Sequence, residues 1–143
     1  MIILDTNVVS EPLKPKPEPT VLAWLDAQAP ATLCLTSITL AELLGGVAAL
    51  PAGRRRNRLA LALTEQVLPL FEGRVLAFDA QATHAFARVQ AAAQAAGNTI
   101  GFADAAIAAI AVAHGFALAT RNVRDFKGTG VRIIDPWLPI PVR

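Results

Sequence analysis

A chain of 143 residues, 54% of them hydrophobic, is long enough to bury a real core and is expected to form one domain over residues 1–143. Its longest unbroken apolar run, residues 105–113, is nine residues of mostly alanine, too short for a membrane-spanning helix. The net charge of +2 permits an anionic partner without requiring one.

The opening apolar run has no basic segment before it and does not read as a signal peptide. Ile2, Ile3 and Leu4 are instead the pattern of a short strand buried on both faces. Pro12, Pro15, Pro17 and Pro19 punctuate the loop that follows, and Pro19 is placed to open a helix carrying Val21, Leu22, Trp24 and Leu25 on one face. Residues 33–35 predict a second strand around the single cysteine, Cys34, which reads as a buried residue in a reducing, cytoplasmic setting. Ser37 is the expected cap of the helix SITLAELLGGVAAL. Residues 53–70 predict another helix, with Leu59, Leu63 and Val67 at helical spacing and Pro69 near its end. Residues 75–78 predict a third strand, Asp79 caps the helix QATHAFARVQAAAQAAG, and Gly97 stops it. FADAAIAAIAVAHG predicts a helix ending at Gly115; FALAT is a strand, RNVRDFKGTG a loop, and VRII a last short strand before a proline-rich tail. Alternating strands and helices point to an α/β domain around a mostly parallel sheet.

Of the eleven acidic residues, Glu11, Glu18, Asp26, Glu65 and Glu72 fall in polar or turn-rich surroundings, and Asp135 precedes a proline at a strand end. Four others stand against apolar segments. Asp5 follows the first strand directly, Glu42 lies between Leu40–Ala41 and Leu43–Leu44, Asp104 sits in FADAAIAAIA, and Asp125 lies just beyond FALAT. An ionised carboxylate in an apolar setting shifts its pKa, pairs, or binds metal. Neither the helix with Glu42 nor that with Asp104 contains Lys or Arg, so a divalent cation is the natural compensation if the acids converge. Taken singly, each has a plainer reading: Asp5 as a cap for the segment after it, Asp104 as a cap for a helix beginning at Ala105, Glu42 as a partly exposed helix residue, Asp125 as a loop acid.

As a set, the segments MIILDTNVVSE, TSITLAELLGGV, IGFADAAIAAIAVAHG and LATRNVRDFKGTGVRIIDPW resemble the PIN-domain ribonucleases, in particular the VapC/FitB-type toxins of bacterial toxin–antitoxin systems. They occur in the family's order and span essentially the whole chain. The resemblance implies a PIN-like fold, with a short parallel sheet flanked by helices and an acidic metal pocket at its C-terminal edge. It assigns Asp5, Glu42 and Asp104 to the first three acids of that pocket. Some members have the fourth acid where this chain has Asn122, and others have Asn followed three residues later by Asp; the latter arrangement assigns Asp125, with Thr6, Thr120 and Asn122 in support. The implied activity is Mg²⁺-dependent hydrolysis of RNA by metal-activated water, leaving 5′-phosphate and 3′-hydroxyl ends, with Asp5 and Asp104 as primary metal ligands and Mn²⁺ as an alternative ion. A VapB-like antitoxin and a homodimeric state are also implied, without any membrane association.

RNA calls for cations, and Arg121, Arg124 and Lys127 flank the expected pocket. The densest basic run is RRRNR, with Arg54, Arg55 and Arg56 at its head; its plainer reading is a solvated helix start, although positive charge there opposes the helix dipole. The chain has no Tyr, and Trp24 and most Phe fit core patterns, so no base-stacking platform stands out; His84 and His114 read as helix residues. Among rivals, a haloacid-dehalogenase-type phosphotransferase wants an Asp where Asn7 stands, and a receiver domain wants paired acids upstream of its Asp. The alternative of another class is a catalytically silent PIN-like module that binds RNA or a partner.

Overall fold

Five short strands pair in parallel throughout: β1 (Ile2–Leu4), β2 (Leu33–Thr36), β3 (Val75–Leu76), β4 (Ala117–Ala119) and β5 (Ile133–Ile134), in the spatial order β3-β2-β1-β4-β5. The structure is a computed structural model and describes residues 1–139; residues 140–143, the end of the expected proline-rich tail, lie outside the described residues. The chain passes from β1 to β2 on one side and later returns to place β4 on the other. The strand order therefore turns at β1, and a crevice opens beyond the carboxyl ends of β1 and β4.

Successive residues of each strand face opposite sides of the sheet and feed two cores. Ile3, Cys34 and Leu118 pack with α5 (Ala80–Ala95) and α6 (Phe102–His114). Leu4, Leu33, Leu35 and Ala119 pack on the other side with α1 (Thr6–Ser10), α2 (Pro19–Asp26) and α3 (Ser37–Ala48). Residues 105–111 of α6 are all buried, as suits a helix that is apolar all round. Among the described residues no helix is long and apolar enough to cross a membrane.

Pro19 is the first residue of α2, the Asp79 carboxylate accepts from the Ala82 N–H at 3.0 Å, and Gly97 and Gly115 end their helices at φ of +78° and +69°. Other boundaries differ from the sequence expectation. Thr36, not Ser37, caps α3: its backbone is extended and its hydroxyl accepts from the Thr39 N–H at 3.1 Å. Ser37 is already helical, and its hydroxyl accepts instead from the Phe78 N–H at 3.2 Å. The helix expected over 53–70 stops early. α4 spans Arg54–Ala62, followed by a widened π turn at Leu63–Val67 and a 3₁₀ turn at Leu68–Phe71. Pro69 offers no N–H to the carbonyl four residues back and its ring crowds it, so regular winding fails ahead of it. The third strand is two residues long rather than four.

Glu11 is buried at 4% exposure rather than solvated. One oxygen meets the Lys14 ammonium at 2.8 Å and the other accepts from the Glu18 N–H at 3.1 Å. The Lys14 contact holds its carboxyl below the usual range, against the burial that raises it.

The loop after β4 lies against the end of α5 so closely that Gly128 has no room for a side chain. Its φ is +81°, and a Cβ there would stand 2.5 Å from the Ala96 Cβ. Gly128→Ala should cost more than about 2 kcal/mol of stability through clash and backbone strain together, measured as a lowered urea midpoint. An unchanged midpoint would show that the loop is free to move off α5.

Candidate active site

β1 ends at Leu4, and the Asp5 N–H still reaches across to the Ala119 carbonyl at 2.9 Å. The Asp5 side chain, 4% exposed, then does two things at once. Its Oδ1 accepts from the Thr6 N–H at 2.8 Å and caps α1. Its Oδ2 accepts from the buried Thr120 hydroxyl at 2.7 Å and from Asn7 Nδ2 at 3.3 Å. The Asp5 carboxylate is thus both the cap of α1 and the acceptor for Thr120 and Asn7.

Asn7 ties the two chain exits together. Besides Asp5, its Nδ2 donates to Thr120 Oγ1 at 3.4 Å, and its Oδ1 accepts from the Arg121 N–H at 3.1 Å. Thr120 Oγ1 also accepts from the Asn122 N–H at 3.0 Å. The sequence left open whether Asn7 helps hold the site or only shapes the turn; its bridging contacts come from the β1–β4 pairing.

Asp104 stands in the first turn of α6, whose cap is Gly101, so it does not cap a helix starting at Ala105. Burial pushes its carboxyl up to about 6, and Asp5, Asp125 and Glu42 push in the same direction. The charges of the other three acids thus all reach Asp104. Among the described residues no hydrogen-bond donor or cation reaches Asp104. Glu42 and Asp125 are exposed, unlike Asp5 and Asp104, so only the latter pair meets the expectation of acids in apolar settings. The Thr6 hydroxyl donates to Glu42 Oε1 at 2.7 Å. Asn122 contributes through its backbone, while Asp125 adds its charge to the pocket.

The backbone around Asp125 is held from outside. Asn98, just past the end of α5, donates through Nδ2 to the carbonyls of Asp125 at 3.0 Å and Lys127 at 2.9 Å. Nothing in the sequence marks Asn98 beyond its place after Gly97. Asn98→Ala should release this loop and speed its backbone amide exchange at least about 10-fold, while changing the melting temperature little, since the clamp is half-exposed. Hydrogen exchange beside a thermal melt checks both.

Of the expected cations, Arg124 and Lys127 are exposed beside Asp125, whereas the Arg121 guanidinium lies 5.2 Å over the Trp137 ring. Arg54, Arg55 and Arg56 open α4. His84 and His114 lie on helices, and Trp24 is buried. Phe102 departs from the core pattern: it is 64% exposed, two residues before Asp104, against Phe86 at a ring separation of 5.4 Å.

The donor chemistry is that of a hard divalent cation: carboxylate oxygens with uncompensated charge. As the side chains stand, no three His, Cys, Asp or Glu among the described residues are close enough to hold one ion. Mg²⁺ commonly takes only one or two carboxylates and keeps several waters, so the set fits that ion in kind.

A parallel sheet flanked by helices, with Asp5 at the end of β1 and Asp125 beyond β4, has a counterpart among known families: the PIN-domain family model matches residues 2–131, and the chain belongs to that family. Within it, the chain falls among the VapC/FitB-type proteins. It is 52% identical over 139 residues to VapC ribonuclease Y4jK of Sinorhizobium fredii, covering 97% of this chain and 99% of the relative. It is 43% identical over 137 residues to Toxin FitB of Neisseria gonorrhoeae, covering 96% and 99%. The solved structure of FitAB bound to an IR36 DNA fragment aligns over 100% of both chains, with a TM-score of 0.95 and 40% identity. The parallel sheet flanked by helices expected from the sequence is the observed fold.

Proposed function

We propose that the protein is a Mg²⁺-dependent endoribonuclease acting as the toxin of a type II toxin–antitoxin module. The observation that carries this reading is Asp104, half-buried in the first turn of α6 with no donor or cation on it among the described residues, its carboxyl raised to about 6 by burial and by Asp5, Asp125 and Glu42. Such a cluster is costly unless a cation compensates it. The ribonuclease and toxin names of the two relatives, at 52% and 43% identity, support the same class.

Asp5 and Asp104 would hold the ion, which when bound would neutralise the acids, attract phosphate oxygens and lower the pKa of a water toward neutrality. Asp5 keeps one orientation because three donors fix its two oxygens. Glu42, steadied by the Thr6 hydroxyl, and Asp125, on the clamped loop, would orient a water for in-line attack on phosphorus. Arg124 and Lys127, exposed beside Asp125, are placed to draw the RNA backbone toward the acids. A VapB-like antitoxin belongs to the same reading, supported by the similarity to the FitAB assembly, and homodimerisation and cytoplasmic action are proposed with it.

The test is cleavage of end-labelled RNA by the purified protein with Mg²⁺, with Mn²⁺ and with EDTA. Cleavage with either ion and none with EDTA is expected, with 5′-phosphate ends. RNA left intact under all three conditions refutes the activity.

A further inference from the structure

Among the described residues Phe102 is the most exposed of the large hydrophobic side chains, at 64%, and the only ring among the exposed ones. The core beneath α5 and α6 takes up Phe78 and Ile100 at its margin but not Phe102. The sequence showed no stacking platform because this ring heads an apolar helix pattern and reads as core. The structure gives it a different setting. Two half-buried rings hold it, Phe86 at 5.4 Å with an interplanar angle of 49° and Phe78 at 6.0 Å and 81°. Those two are themselves 5.9 Å apart, so the three rings brace one another. Neither neighbour lies parallel to Phe102, which leaves its exposed surface open to a flat partner. Asp104 is two residues on in the same first turn of α6, with the two Cα atoms roughly 5 Å apart by helix geometry. A strand whose phosphate is held at Asp104 therefore passes close to the ring.

We infer that Phe102 is a base-stacking platform, taking the face of one nucleobase of single-stranded RNA beside the cleaved phosphodiester. The inference rests on reading the chain as a ribonuclease. The juxtaposition is that of a nucleotide: a ring for the base and, two residues on, an acid whose counterion would meet the phosphate. The exposed residues next to it in the chain, Thr99 and Gly101, add no apolar side chain that would widen the ring into a protein-docking face. Every base has a flat π face, so such a platform holds RNA with little preference for sequence. Its use is in position: acids grip phosphate oxygens, and a fixed ring beside them sets which phosphate of the strand is gripped. A ring already braced by two others loses little freedom when the base arrives.

The experiment measures binding separately from cutting. Asp104→Asn protein with Mg²⁺ is titrated into a fluorescein-labelled single-stranded RNA oligonucleotide, followed by anisotropy over a salt series. Phe102→Leu, added to that background, keeps an apolar side chain against Phe78 and Phe86 but has no ring. It should weaken binding about 10-fold, with the slope of log affinity against log salt unchanged because stacking releases no counterions. Phe102→Trp should bind at least as tightly as the parent, and the emission added by the new indole should be quenched by saturating RNA. RNA affinity unaltered by Phe102→Leu overturns the platform, and so does indole emission that saturating RNA leaves unchanged. Sedimentation velocity of the same proteins without RNA tests the other occupant. A dimer that Phe102→Leu turns into monomers shows a second copy of the chain covering the ring, and overturns the platform as well. Wild-type protein that binds RNA through Phe102 but cuts nothing with Mg²⁺ or Mn²⁺ overturns the ribonuclease reading and upholds the platform. Cleavage by the wild type together with full RNA affinity in Phe102→Leu does the reverse.

Discussion

Asp104→Asn is expected to abolish RNA cleavage and, in the same protein freed of metal, to raise the melting temperature. The carboxyl is held at about 6 in the fold against 3.8 in an unconstrained chain, chiefly by burial and then by Asp5, Asp125 and Glu42. Below about pH 3 it is protonated in both states and costs nothing. As pH rises toward 6 the unfolded chain releases the proton while the folded protein retains it, so stability falls, levelling off above about pH 7. A shift of this size corresponds to about 3 kcal/mol, and partial exposure of Asp104 reduces it to roughly 1–2 kcal/mol. Asparagine carries no charge to desolvate, so the variant should melt about 4–8 °C higher at pH 7.5 and lack that part of the decline between pH 4 and 7. Mg²⁺ should narrow the gap by stabilising the wild type more than the variant. Calorimetry across pH with EDTA, then with Mg²⁺, gives both results. A variant that melts lower than wild type at pH 7.5 would mean that Asp104 is not a strained acid.

The same contrast shows how far the sequence reaches. Asp5 and Asp104 were legible because each interrupts an apolar segment whose burial the pattern already required, and both are buried or half-buried. Glu42 and Asp125 were picked out by the same rule, yet their side chains are exposed, and the reach of their charge to Asp104 depends on the tertiary arrangement. Asn7, Asn98 and Gly128 act through partners far along the chain or through close backbone approach, which no local spacing encodes. Thr36 and Ser37 are adjacent hydroxyls, either chemically able to cap α3; the strand pairing that ends at Thr36 decides between them. Glu11 lies in a proline-punctuated segment that reads as loop, and its burial depends on Lys14 and the Glu18 backbone closing over it. The local pattern thus fixes elements and strand-end acids, while the contacts that aim those acids are set by topology.

Asp5→Asn should also abolish cleavage, but with the opposite effect on stability. Every donor around this residue is arranged for a carboxylate: the Thr6 N–H at 2.8 Å on one oxygen, and the Thr120 hydroxyl at 2.7 Å and Asn7 Nδ2 at 3.3 Å on the other. An amide nitrogen at either position faces donors it cannot accept from. Turned toward Oδ1 it loses the helix cap; turned toward Oδ2 it opposes Asn7 and forces the Thr120 hydroxyl to reverse. That hydroxyl already accepts from the Asn122 N–H at 3.0 Å, so reversal crowds its lone pairs. The loss should be about 1–3 kcal/mol of stability, a lower melting temperature where Asp104→Asn gives a higher one. Cleavage should fall by on the order of 10³-fold or more, as several kcal/mol of charge stabilisation disappear with a metal-holding carboxylate. Thr120→Val separates the two roles, because it keeps the acid while removing the hydroxyl that donates to it and accepts from Asn7 and the Asn122 N–H; activity should fall about 10–100-fold through misdirection of Asp5. Single-turnover cleavage and thermal melts of the three variants decide the matter. If Asp5→Asn were stabilised as Asp104→Asn is, the two acids would be equivalent members of a repelling cluster, and the hydrogen-bond frame around Asp5 would not be what orients it.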